Sequence, residues 1–223
     1  ARLLKKLKHE IGISPDELLF RGEIKVNEVL LRLIDFDSNN LEEKTIKSIS
    51  ETAKYQTEDT VTWLNVDGLH NTKIMEAIAS EFNFDHLILA DVMNTPARST
   101  VKEHKNCLYV SVKMLQSDSS SEMINVENLS LIITKSFLIS FQEKLGDVFE
   151  PVRDRIRNQK KKIRNGGPDY LLYALLDIVI DNYIYIIGVL GDKIEMLEES
   201  LLLNPKVDYL EQINSYKREL NFL

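Results

Sequence analysis

The stretch from Gly167 to Asn204 constrains the fold most, because it predicts one long helix. Pro168 suits the first helical turn, and Asp169 places a carboxylate where the helix dipole favours it. Apolar residues run almost all round the helix up to Gly191, beyond which acidic and apolar residues form an amphipathic pattern. We therefore expect the first half of this helix to be buried and the second half to face water.

Two aspartates decide how this helix is interpreted. The apolar stretch has the length of a membrane span, about 20 residues. Asp177 and Asp181 lie near its middle, and each would cost about 2.5 to 3.5 kcal/mol on an insertion scale, so we expect a helix of a soluble domain. Residues four apart share a helical face. The pair either caps or bridges to neighbouring basic groups, or contributes to a divalent-cation site, which hard oxygen ligands favour.

The composition indicates a globular, acidic protein. A chain of 223 residues with 43% hydrophobic content can bury a core in one domain, or in one domain plus an appendage. The net charge of −7 argues against nucleic acid as the main partner and makes cations the more natural ligands.

The single cysteine, Cys107, lies in a strand-like run, which predicts a buried, unreactive thiol. No secretory signal pattern is present at the first residues, and the chain has the character of a cytosolic fragment.

The order of strand and helix patterns predicts an α/β fold with a mixed parallel and antiparallel sheet. One or two strands are expected at residues 23–36, and single strands at residues 61–66, 107–115, 123–134 and 137–143. Helices are expected at residues 41–55, capped by Asn40, and at residues 72–82 and 146–164. A last helix at 206–223 would fold back on the long one. The expected architecture is an αβα sandwich over residues 1–166, followed by a long antiparallel helical hairpin over residues 167–223.

A search for catalytic motifs finds none. The chain has no Gly-rich phosphate loop, no Gly-x-Ser-x-Gly, no His-Glu-x-x-His and no Cys-x-x-Cys, so we do not expect an enzyme.

Three other features of the sequence have simple structural interpretations. His86 is expected to be a partly buried packing residue. The basic residues of segment 146–164 surround the predicted helix and favour a solvated face over an anion site. Asp91, after the apolar run LILA, either ends that element or is one ligand of a shared site.

Four sequence blocks carry a family resemblance: WLNVDGLHN, HLILADVMN, LSLIITKSFLISFQEKLGDVFEPVRDRIR and DYLLYALLDIVIDNY. Together they resemble the cytoplasmic domain of the CorA family of magnesium and cobalt channels, in the family's order and over nearly the whole chain. The resemblance implies a pentameric inner-membrane channel whose N-terminal α/β sandwich forms a cytosolic funnel. A stalk helix and two membrane helices with a Gly-Met-Asn signature would follow this soluble fragment.

The resemblance also implies a regulatory role for metal. In the family, Mg2+ bound between subunits of the funnel holds the channel shut, and its loss opens the pore. Asp91 matches the principal sensor carboxylate of the family. A second family site joins the acid before that position to an acid on the long helix. In this chain those positions are Ala90 and Asp177, so the second site has lost one ligand.

The sequence therefore predicts the cytosolic metal-sensing domain of a CorA-type channel for Mg2+ and Co2+. Asp91 and Asp177 are the predicted metal ligands, and further copies of the chain and the membrane are the predicted partners. Two alternatives stay open: a zinc-transporting member of the same family, and a soluble adaptor whose helical hairpin binds partner helices without an ion.

Overall fold

A computed structural model describes residues 12, 14, 16–117, 124–203 and 209–220. These residues form seven strands: β1 (Leu30–Phe36), β2 (Leu41–Ile46), β3 (Val61–Asp67), β4 (Thr100–Glu103), β5 (Leu108–Ser117), β6 (Ile124–Ile133) and β7 (Phe137–Gln142). They form one sheet in the order β2-β1-β3-β7-β6-β5-β4. The β3–β7 pair is parallel, whereas β1 pairs antiparallel with both β2 and β3, and β6 pairs antiparallel with β7. The predicted mixed sheet is confirmed.

The helices of the described residues are α1 (Thr72–Phe82), α2 (His86–Val92), α3 (Glu150–Arg157), α4 (Lys161–Asn165), α5 (Pro168–Leu203) and α6 (Tyr209–Leu220), with a 3-10 helix at Ile49–Gln56. Helix α1 starts where the sequence predicts, because the Asn71 side chain accepts hydrogen bonds from the N–H groups of Lys73 and Ile74. The long helix is confirmed as α5. Residues 204–208 and 221–223 lie outside the described residues, and so do the predicted hairpin turn and both ends of the predicted last helix.

One face of the sheet carries the main hydrophobic core. Successive side chains of a strand point to opposite faces, so Leu33 of β1, Leu64 of β3 and Ile139 of β7 share this face, where all three are fully buried. The same core includes side chains from α1, α2 and the 3-10 helix. These helices therefore form one outer layer of the fold.

The other face of the sheet is covered from the α3 side. Trp63 of β3 meets Phe149, which precedes α3, edge to face at 6.1 Å between ring centroids. The guanidinium of Arg153 in α3 lies 4.8 Å from the centre of the Trp63 ring. Helices thus pack on both faces, and the predicted αβα layering is confirmed.

The prediction of a helix over residues 41–55 is wrong. The backbone N–H groups of Asn39 and Asn40 donate to Asp37 Oδ1 at 2.6 and 2.7 Å, which closes a tight turn after β1. Asn40 therefore ends a hairpin turn and caps no helix, and the following residues pair with β1 as strand β2. The 3-10 helix begins only after Ser48, which forms a capping box with Glu51.

Three further predictions differ from the structure. Segment 146–164 is not one helix, because Gln159 has φ 52, a left-handed conformation that interrupts it between α3 and α4. Pro151 in the first turn of α3 places the start of that helix at Glu150. The strand expected at residues 23–36 is confirmed only from Leu30 onwards. The short strand β4 has no counterpart in the sequence prediction.

The prediction that the first half of α5 is buried is wrong in part. Its buried apolar residues include Leu171, Leu175 and Val179. Others on the same helix are more than half exposed: Tyr173, Ile180, Ile184, Tyr185 and Ile187. By length and a mean hydropathy of 1.7, α5 could cross a membrane, and Asp177 and Asp181 are the residues that argue against a span.

The chain divides into two compact units. Among the described residues, one unit comprises those up to 114 together with 127–175, and the other comprises 115–117, 124–126, 176–203 and 209–220. The boundary predicted between residues 166 and 167 stays a prediction.

Candidate metal centre

Helix α2 places Asp91 at the protein surface. The Asp85 side chain caps the helix by accepting a hydrogen bond from the N–H of Leu87 at 2.9 Å. Ile88 and Leu89 belong to the main core and fix the helix against the sheet. Asp91 follows in the last turn with its side chain 33% exposed. Its carboxylate is therefore accessible to water and to a hydrated cation.

The Asp91 carboxylate has one cationic partner in the described part of the chain. Lys102 Nζ lies 2.5 Å from Asp91 Oδ2. Lys102 is on β4, the edge strand, in register with Tyr109, whose side chain belongs to the main core. Lys102 therefore leaves the strand on the face that α2 covers. Asp91 Oδ1 accepts no hydrogen bond from the described residues. The sequence prediction missed Lys102 because it missed β4.

The predicted second site is reduced in this chain. Ala90 is buried and supplies no ligand atom. On α5, Asp177 is half-buried and Asp181 is exposed. No hydrogen bond or ion pair connects either carboxylate to another described residue, so the predicted bridges to basic groups are not found there. Asp177 belongs to the compact unit that contains α5 from Leu176 onwards, and Asp91 belongs to the other.

Among the residues that the structure describes, no three His, Cys, Asp or Glu side chains come together as a metal-binding group. Magnesium keeps several of its waters and is commonly held through only one or two carboxylates. Asp91 alone could therefore bind a hydrated ion weakly, and a tighter site would need ligands from outside the described chain.

A second set of charged groups, buried except for the partly exposed Arg32, lies on the opposite face of the sheet. Arg153 of α3 donates to both oxygens of Asp147, at 2.7 and 2.5 Å. Arg32 contacts Asp147 at 3.4 Å and Asp67 at 2.9 Å. Burial opposes ionisation of Asp147, but Arg153 holds the pKa of that carboxyl below its ordinary value. The predicted solvated basic face is wrong for Arg153 and for Arg164, which are both buried.

Glu127 is a buried carboxyl that the sequence did not single out. Its Oε1 accepts hydrogen bonds from the N–H groups of Glu143 and Lys144, at 2.6 and 3.0 Å, just after the end of β7. Its Oε2 is buried without a hydrogen-bond partner among the described residues. Burial raises the pKa of Glu127 to about 7. This side chain holds the end of β7 and has little capacity for a metal.

Two smaller predictions can also be checked. Cys107 is buried as predicted, and burial raises the pKa of its thiol, which disfavours the reactive thiolate. His86 is exposed at the start of α2, so its predicted partial burial is wrong.

Comparison with known proteins places this architecture in a family. The family model described as CorA-like Mg2+ transporter protein matches residues 58–223. The chain belongs to this CorA-like family. The cobalt/magnesium transport protein CorA of Thermotoga maritima is 31% identical to the CorA-like chain over 216 residues, which is 97% of this chain and 61% of that protein. The chain thus spans about three fifths of the length of that relative. The resemblance read from the sequence is confirmed.

Solved structures share the fold of the CorA-like chain. The full-length CmaX protein superimposes with a TM-score of 0.68 at 11% identity, covering 88% of this chain and 59% of CmaX. The soluble domain of CorA from Methanocaldococcus jannaschii gives a TM-score of 0.57 at 16% identity, covering 81% and 68%. The ZntB cytoplasmic domain from Vibrio parahaemolyticus gives 0.53 at 8% identity, covering 75% and 65%. At these identities the likeness concerns the fold alone, and the roles of Asp91 and Asp177 stay predictions.

Proposed function

We propose that this CorA-like chain is the cytosolic metal-sensing domain of a channel for divalent cations. Mg2+ or Co2+ bound at Asp91 bridges neighbouring copies of the domain and favours the closed pore, with Asp177 as a weaker contributor. One observation carries the assignment of the site. Asp91 presents a surface carboxylate whose Oδ1 is unpartnered among the described residues, so it can accept a hydrated cation.

A bound metal ion would promote assembly by reducing the electrostatic repulsion between copies of the chain. Each chain carries a net charge of −7, so neighbouring copies repel one another. A divalent ion shared between carboxylates of two copies offsets that repulsion, and its loss restores it. Metal binding and association are therefore coupled, and each strengthens the other by the same factor. Weak binding by few protein ligands suits a sensor that must empty when the cytosolic Mg2+ concentration falls.

The test is sedimentation velocity of the 223-residue chain in the presence and absence of millimolar Mg2+. Mg2+ should shift the wild-type chain towards larger species and should leave Asp91→Asn unchanged, with a smaller loss of response in Asp177→Asn. Asp59→Asn is the matched control, because it removes one exposed carboxylate in the bend before β3, outside α2 and α5. A response of Asp91→Asn equal to that of the wild type, or a wild type indifferent to Mg2+, would reject the proposal.

The exposed apolar residues of α5 favour a second candidate, the soluble adaptor that binds partner helices. Contiguous apolar surface of this kind marks an interaction site. An adaptor would associate with its partner to the same extent in chelator and in Mg2+, and Asp91→Asn would not alter that association.

A further inference from the structure

We infer that Lys102 is a specificity-determining residue of the Asp91 site. In the metal-free chain its ammonium group occupies Oδ2 of the Asp91 carboxylate, so a hydrated cation that approaches at Oδ1 has to compete with it for the carboxylate. This inference rests on the proposed function of Asp91 and adds a residue that sets which cations bind there and at what concentration.

The geometry of the pair supports competition. The separation of 2.5 Å between Lys102 Nζ and Asp91 Oδ2 leaves no room for a cation between them. A divalent ion bound at the same carboxylate would also be repelled by the nearby ammonium. Binding of the ion and retention of the ion pair therefore exclude each other at Oδ2.

The pair can also open. The Lys102 and Asp91 side chains are 45% and 33% exposed, so water can solvate the ammonium once it leaves. Exposed ion pairs of this kind contribute little stability. The fold around the pair does not depend on it, because α2 is held by core residues such as Leu89 and β4 is held by its backbone pairing with β5. Lys102 is thus a displaceable counter-ion.

Displacement of a lysine favours divalent over monovalent cations. A monovalent ion that replaces the ammonium exchanges one positive charge for another and gains little. A divalent ion brings twice the charge to the same carboxylate and gains a net attraction. Lys102 therefore raises the concentration that every cation needs by the same factor, so the weakly attracted Na+ and K+ are kept out while Mg2+ can still displace the ammonium.

The test uses Mn2+, whose preference for carboxylate and water ligands resembles that of Mg2+. Mn2+ is titrated into the 15N-labelled chain, and paramagnetic broadening of the α2 amide signals gives the dissociation constant. Lys102→Gln should bind Mn2+ about three- to fivefold more tightly, as expected when an exposed ion pair no longer competes. The same variant should lose more affinity than the wild type when Na+ is added.

Matched variants separate this inference from the proposed function. Lys105→Gln makes the same charge change at an exposed position three residues away. It should bind Mn2+ nearly as the wild type does. Asp91→Asn should lose the α2 broadening, and Lys102→Gln should give no gain when combined with it.

Three other results of these titrations would overturn the inference, and one of them would also overturn the proposed function. Equal tightening in Lys102→Gln and Lys105→Gln would assign the effect to net charge and overturn the inference. Unchanged affinity in Lys102→Gln with lost binding in Asp91→Asn would overturn the inference and leave the proposed function standing. Wild-type binding in Asp91→Asn would overturn both. Amide spectra recorded without metal confirm that each variant is folded.

Discussion

The carboxylates of Asp147 and Asp91 lie on opposite faces of the same sheet and behave differently. Asp147 is 2% exposed, and Arg153 and Arg32 surround it with hydrogen bonds and charge. Asp91 is 33% exposed and meets one lysine. A buried carboxylate has to be neutralised by fixed partners, because no water can replace them. An exposed carboxylate can exchange its partner, and this makes Asp91 suitable for a reversible signal and Asp147 suitable for structure.

Removal of the buried charge should have the largest effect. Asp147→Asn leaves the guanidinium groups of Arg153 and Arg32 without their shared carboxylate, and the loss of one partner from a buried pair costs about 3 to 5 kcal/mol. Urea unfolding should show this loss. Asp154→Asn, at an exposed position of α3, should cost less than about 1 kcal/mol. Equal costs for the two variants would contradict the contrast between buried and exposed carboxylates.

Glu127 extends the comparison to a buried carboxyl that lacks a cationic partner. Its pKa of about 7 in the folded chain lies above its ordinary value of 4.5. Between pH 4.5 and about 7, Glu127 therefore keeps a proton in the folded chain that it has lost in the unfolded chain. The corresponding stabilisation is complete below pH 4.5 and is lost as the pH rises to about 7.

Between those two pH values, the free energy of unfolding of the wild type should fall relative to that of Glu127→Gln. The fall is at most about 3 kcal/mol, since one pKa unit corresponds to 1.36 kcal/mol. Urea unfolding of both proteins across this pH range measures it. Glu76→Gln, an exposed control on α1, should keep the wild-type pH dependence. A Glu127→Gln variant with the wild-type pH dependence would show that Glu127 is ionised in the folded chain.

The smallest effect on stability is expected at the exposed pair. Lys102→Gln should change the free energy of unfolding by less than about 1 kcal/mol, because exposed ion pairs contribute little. Thermal unfolding in chelator measures this change. A loss as large as that of Asp147→Asn would mean that Lys102 holds α2 in place, and it could not then act as a displaceable counter-ion.

The sequence predicted the parts of the fold where local signals agree. The strand at residues 61–66 is rich in β-forming residues, and Asn71 caps α1, so both were found. The prediction failed at β2, where glutamates and a lysine favour a helix but the Asp37 turn returns the chain to β1. It also failed at β4, whose four residues are too few and too exposed to show an alternating pattern.

The candidate site was predictable only in its family-derived part. The residues alone left Asp91 as either the end of an element or one ligand of a shared site, and the resemblance favoured the ligand; the residue Ala90 in place of an acid is visible in the sequence itself. The pairing of Asp91 with Lys102, eleven residues later, depends on how an edge strand lies beside α2. Short-range patterns do not encode such contacts. The partly buried contact between Asp67 of β3 and Arg32 of β1 was missed for the same reason.

A divalent cation bound at the Asp91 carboxylate would be directly visible in crystals of the chain soaked in Mn2+, through anomalous difference density. We expect a peak at coordination or water-bridged distance from Asp91, with the Lys102 ammonium displaced from Oδ2. Density at other positions only, with the 2.5 Å contact between Lys102 and Asp91 intact at saturating Mn2+, would show that Asp91 is not the metal site.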